Sequence, residues 1–134
     1  MIMVLPTLAA IDIGSNTIRL IVASSMGNGY KRHLVQQRVT RLGEGLKPGA
    51  SLSPRAVEET IEVLRDYRAK ALALGARSIL AGATSAVRDA QGGEAFMTRI
   101  DKELGFQTLI LTEKQEAELT AAGVISALPD VPDE

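Results

Sequence analysis

Residues 8–23 read LAAIDIGSNTIRLIVA: an apolar run, an acid, Ile-Gly-Ser-Asn-Thr, and a second apolar run. The first run, 8–13, is continuous and suits a strand buried on both faces. Gly14-Ser15-Asn16 is a turn signal. Residues 17–25 carry β-branched side chains in partial alternation and predict a second strand. The tight Gly27-Asn28-Gly29 turn then returns residues 30–39 as a third, more exposed strand. The chain therefore opens with an antiparallel three-stranded meander.

Working outward, residues 40–52 hold three glycines and a proline and read as loop. Ser53 at N-cap and Pro54 at the first helical position start a helix. Ala56, Val57, Ile61, Leu64, Ala71 and Leu72 recur along it at helical spacing, and Gly75 stops it. Residues 77–83 predict a fourth strand. Thr84 or Ser85 caps a short helical turn that breaks at Gly92-Gly93. A helix over 93–104 closes at Gly105, and 107–112 predict a fifth strand. Thr112 to Gln115 fits a capping box for a helix through Leu119 to about Ile125. Residues 1–7 read as an N-terminal arm, and 127–134 as a polar tail or the start of a linker. The order βββαβ(α)αβα is that of an α/β domain, a mixed five-stranded sheet with helices packed on it.

The 134 residues suit one domain. Hydrophobic residues make up 46% and aromatics only 3%, so the core is expected to be Leu, Ile, Val and Ala. Fifteen basic residues against sixteen acids leave a formal net charge of -1. That balance gives no electrostatic case for nucleic acid or an anionic membrane surface. Without cysteine there are no disulfides or thiolate metal sites, and His33 alone builds no histidine-rich one. No apolar run approaches membrane-spanning length, and the first ten residues lack the charged region of a signal peptide. A soluble, cytoplasmic chain is the expectation.

The candidate chemistry lies at three junctions. A turn of Gly14, Ser15, Asn16 and Thr17 exposes backbone N–H groups with little bulk around them, a nest suited to phosphate oxygens. Asp12 beside it suits a hydrated divalent cation or a water. The alternative is an ordinary hairpin whose Asp and Asn satisfy the turn locally. Thr84-Ser85 and Thr112-Glu113 are strand-to-helix junctions, and ligands of α/β sheets gather outside the carboxyl ends of parallel strands. Arg88, one turn into the first helix, suits a bidentate phosphate contact or a surface pair with Asp89. Glu113 and Glu116 share a helix face, close enough for one pKa to rise as a general base needs. Acids in a first helical turn are normal complements of its dipole, and that reading is the stronger one from the residues alone. The loop RLGEGL (41–46) lacks Walker A spacing and reads as a flexible connection or the flank of a substrate channel. The basic stretch around Tyr30 to Arg38 reads as a charge-protected edge strand.

Taken in order, AIDIGSNTIRLIVA, RLGEGL, the Leu52-Ser53 helix start, ATSAVRDA and LTEKQEAELTAAGV resemble the N-terminal half of the exopolyphosphatase and guanosine pentaphosphate phosphohydrolase family. That family belongs to the actin, sugar kinase and heat-shock ATPase superfamily, whose lobes are ribonuclease H-like. The resemblance covers about residues 8–125 and implies the first of two lobes enclosing a phosphate cleft, with residues 8–126 forming that lobe. It implies release of terminal phosphate from polyphosphate or guanosine pentaphosphate, with Mg²⁺. By similarity, Gly14, Ser15, Asn16 and Thr17 form the first phosphate loop, Asp12 is the metal carboxylate, Arg88 faces the phosphates and Glu116 is the general base.

Two departures stand against this pattern. The family's Ser-Gly-x-Glu-Glu-Ala-Arg reads Thr112-Glu113-Lys114-Gln115-Glu116-Ala117-Glu118, which adds carboxylates beside a polyanion's path. The second phosphate loop and the second lobe do not follow within the 134 residues, so this chain alone is expected to be weakly active or inactive, with an apolar face open to homodimerisation. A non-catalytic polyphosphate or guanosine polyphosphate sensor is the alternative. A kinase-like transferase of the same superfamily is a third reading, for which this half supplies no adenosine site.

Overall fold

The computed structural model describes residues 6–26 and 29–118. The arm before Pro6, Gly27 and Asn28 of the second turn, the helix beyond Glu118 and the 127–134 tail lie outside the described residues.

Three strands open the chain as the hairpin signals require: β1 (Thr7–Ile13), β2 (Thr17–Met26) and β3 (Gly29–Val39). The Gly14–Asn16 turn sets the first register, pairing Ile13 with Ile18 and Asp12 with Arg19. After the loop come α1 (Pro54–Ala73), β4 (Ala76–Ala83), α2 (Ser85–Arg88), α3 (Gly93–Leu104) and β5 (Gln107–Ile110). Residues 113–118 are again helical. The sheet order is β3-β2-β1-β4-β5, with β1 parallel to β4 and β4 parallel to β5.

Local signals explain most of the boundaries. Ser53 Oγ accepts a hydrogen bond from the Ala56 amide at 3.4 Å, and Pro54 follows as the first helical residue. Gly75 and Gly105 end α1 and α3 at φ of 86° and 72°, conformations that cost glycine little. Gly93 is required by contact: a Cβ there would lie 2.0 Å from the Val87 carbonyl oxygen, so α3 starts hard against α2. β5 ends at Ile110 rather than Thr112, although the Leu111 amide still donates to the Ala83 carbonyl at 2.9 Å.

Both crossovers, β3 to β4 and β4 to β5, join parallel strands and move the same way across the sheet. With the usual handedness they place α1 and α3 on one face. Ile11, Ile13, Ile18, Leu20, Val22 and Ala81 of the sheet form one buried cluster with Ile61, Leu64 and Tyr67 of α1 and Phe96, Ile100 and Leu104 of α3.

Three expectations change here. β1 is not buried on both faces: Leu8, Ala10 and Asp12 alternate outward, and Leu8 is 49% exposed, because the helices share the opposite face. Leu72 is exposed, since the buried stripe of α1 runs through Thr60, Ile61, Leu64, Tyr67 and Ala71. The scarce aromatics are central to the core: Tyr67 and Phe106 are its largest fully buried side chains. β3 is the exposed edge that its charges foretell.

Candidate functional site

The parallel register aligns Ile13, Ala83 and Ile110, so the three loops that follow them emerge at one edge of the sheet. There the structure gathers Asp12, the 14–17 turn, Ser85, Arg88 and Glu116.

The turn is tightly bonded. The Gly14 amide donates to the Thr17 carbonyl at 2.9 Å, so the Gly14 amide is spent on the hairpin itself. The Asn16 carbonyl accepts from Thr40 (2.9 Å) and Arg41 (3.1 Å), and the Ser15 carbonyl accepts from Gly43 at 2.7 Å. The Gly14 amide is thereby withdrawn from the nest, while the Ser15 and Asn16 amides donate to no other described residue. The loop RLGEGL is consequently no loose connection. Leu42 is buried, and a Cβ on Gly43 would lie 3.0 Å from the Cβ atoms of both Ser15 and Ala86. Thr84 stands at the N-cap of α2, but its hydroxyl donates to the Ile13 carbonyl at 3.4 Å, which ties the ends of β1 and β4 together. Ser15 and Ser85 hydroxyls then meet at 3.3 Å.

Arg88 is held from three sides. Its Nη1 donates to the Leu111 carbonyl at 2.8 Å and to Glu116 Oε2 at 3.2 Å, and its Nε lies 3.5 Å from Asp89 Oδ1. Burial opposes its charge, but the Glu116 hydrogen bond and the charges of Asp89, Glu116 and Glu113 outweigh it, and its pKa moves up. Arg88 thus makes the pair with Asp89 that its surface reading named, and it also faces Glu116. Glu116 is placed by the capping box, in which the Thr112 amide donates to Gln115 Oε1 (3.0 Å) and the Gln115 amide to Thr112 Oγ1 (3.1 Å).

The carboxyl held above its ordinary range is that of Asp12. Crowding by the surrounding protein is the main cause, the charge of Glu116 adds to it, and Arg19 across the strand pair opposes it. Asp12 is exposed by area, yet enough of its hydration is replaced by protein for the direction to be upward. The carboxylate coupling seen at this edge is that of Asp12 with Glu116, which no local spacing reveals. Arg19 was missed in the sequence, although a turn centred on Ser15-Asn16 pairs positions 12 and 19 by symmetry.

Strand order, one-sided helices and loops gathered at the carboxyl ends of parallel strands define the class: an actin-like α/β lobe. The chain belongs to the Ppx/GppA phosphatase family, whose model matches residues 21–133. It is 30% identical over 118 residues to exopolyphosphatase 1 of Mycobacterium tuberculosis, covering 87% of this chain and 34% of that protein. The crystal structure of the Aquifex aeolicus member of the Ppx/GppA family superposes with a TM-score of 0.82 at 31% identity, over 93% of this chain and 41% of that one. An exopolyphosphatase from Cytophaga hutchinsonii superposes with a TM-score of 0.84 over 92% of this chain and 39% of its own, a likeness of fold at 24% identity. The chain therefore spans 34% to 41% of the length of these relatives. Among the described residues no helix is long and apolar enough to cross a membrane.

Proposed function

We propose that this chain is the first of two lobes of a phosphohydrolase that releases the terminal phosphate of inorganic polyphosphate or guanosine pentaphosphate, with Mg²⁺. The observation that carries the reading is the meeting of Asp12, Arg88 and Glu116 beside the Ser15-Asn16 amides. These residues are spread over most of the chain, and the sheet register brings them to one edge.

Asp12 fits magnesium as proteins usually hold it, by one or two carboxylates with substrate phosphates completing the shell. Its carboxyl faces the charge of Glu116, a repulsion that a cation relieves. When bound, the ion would neutralise charge on the phosphoryl oxygens. The Ser15 and Asn16 amides would bind the terminal phosphoryl oxygens, with Arg88 shared between that group and Glu116. Phosphate competing for Arg88 frees Glu116 to take a proton from water. The water oxygen then attacks phosphorus in line, the bridging P–O bond breaks, and its electron pair leaves with the shortened chain.

The test is phosphate release by the full reading frame that contains this chain. Glu116→Gln is expected to lower turnover about 100-fold or more while polyphosphate binding persists. Undiminished turnover in Glu116→Gln removes Glu116 as base. The alternative, a binding or sensor domain, is favoured by Glu113, whose charge acts on Arg88 and weakens its field toward a polyanion. Binding without turnover in the unsubstituted protein would establish it.

A further inference from the structure

Two clefts flank α2. The larger, of about 450 Å³, opens beyond Arg88 toward Gly92, Gly93 and Glu94. Its cation, Arg88, is already shared among a carbonyl and two carboxylates, and Glu94 adds negative charge. The smaller, of about 120 Å³, runs the other way, from the Ser15–Ser85 hydroxyl pair to Lys47. Asp89 also lines it, but that carboxylate is engaged by the Arg88 Nε at 3.5 Å. Lys47 makes no ion pair among the described residues.

The segment carrying Lys47 is fixed at both ends. The Gly43 amide donates to the Ser15 carbonyl at 2.7 Å, the Gly49 amide to the Asp89 carbonyl at 2.9 Å, and the Gln91 amide to the Ala50 carbonyl at 2.9 Å. A cation unpaired among the described residues is thus held on a pinned loop over a cleft lined by the Ser15 and Ser85 hydroxyls and the Arg88-paired Asp89, and the cleft shares Ser15 with the candidate phosphate turn.

We propose that this cleft is a second anion subsite, in which Lys47 and the Ser15 and Ser85 hydroxyls take the phosphoryl group adjoining the terminal one. The subsite rests on the phosphate reading of the 14–17 turn. It gives the polyanion a direction, since the chain extends past α2 toward Lys47 and not toward Glu94. Lys47 is a binding and specificity residue here, with no part in proton transfer.

The test is binding of orthophosphate and tripolyphosphate to the full reading frame that contains this chain, with Mg²⁺, by calorimetry, at low and high salt. Lys47→Gln is expected to weaken tripolyphosphate about fivefold and leave orthophosphate unchanged. Lys47→Arg should restore most of the loss, and the difference should shrink as salt screens it. Equal binding of tripolyphosphate by Lys47→Gln and the unsubstituted chain, with Arg88→Gln impaired, overturns the subsite and leaves the phosphate reading standing. Failure of the unsubstituted full-length protein to bind either anion overturns both.

Discussion

At the residue scale, Asp12 shows what it costs to gather like charges at one edge of the sheet. Its pKa is raised by crowding and by Glu116, so the folded chain holds the proton more tightly than the unfolded one. The stability linked to Asp12 is therefore fully present below the ordinary carboxyl pKa and lost as pH rises through the raised value. Asp12→Asn should accordingly raise the melting temperature at pH 7 by about 2 °C, with the gain vanishing in acid. Melting curves of both proteins across pH 3 to 8 check the sign. A variant less stable than the parent at pH 7 would mean that Arg19 dominates Asp12. Arg88 and Glu116 were each legible as candidates from their helix positions. Their 3.2 Å pairing was not, because 28 residues and a whole strand separate them.

At the element scale, α1 is bound to the meander by polar as well as apolar contacts. The buried Tyr67 hydroxyl donates to the Ile18 carbonyl at 2.7 Å, and Arg38 of β3 lies over the Tyr67 ring at 5.6 Å. Tyr67→Phe keeps the packing and removes the donor. It should cost about 1–2 kcal/mol, read from the midpoint of urea unfolding with an unchanged slope. Helix limits were legible where a residue fixes its own backbone, at Ser53-Pro54, Gly75 and Gly105. Tyr67 itself went unread in the apolar periodicity of α1, because a tyrosine is amphipathic and its burial depends on finding an acceptor.

At the scale of the molecule, ion pairs join elements distant in sequence. Arg99 of α3 reaches Glu58 of α1 at 2.7 Å and also bonds Glu103, while Asp66 of α1 pairs with Arg38 of β3 and, at 2.9 Å, with Lys70. The hydrogen bond from Arg99 holds Glu58, and that from Lys70 chiefly holds Asp66, below the ordinary carboxyl range. Their contribution is present above the ordinary pKa and lost as pH falls through the depressed one, opposite in sign to Asp12. The melting temperature should fall below about pH 4, and the double variant Glu58→Gln, Asp66→Asn should show a shallower acid limb. An acid limb unchanged in the double variant would place the acid sensitivity elsewhere.

By itself the sequence determined the order of elements, their caps and turns, and the residue types at each loop, since these follow from local backbone chemistry and period. The tertiary structure alone decided which loops meet and which faces stay open. Parallel register placed the ends of β1, β4 and β5 side by side, and the common hand of the crossovers put both long helices on one face. It also decided that Arg88 and Glu116 hold one another and that Glu116 bears on Asp12. Charges interact through distance in space, and one chain pattern fixes that distance only after the sheet has formed.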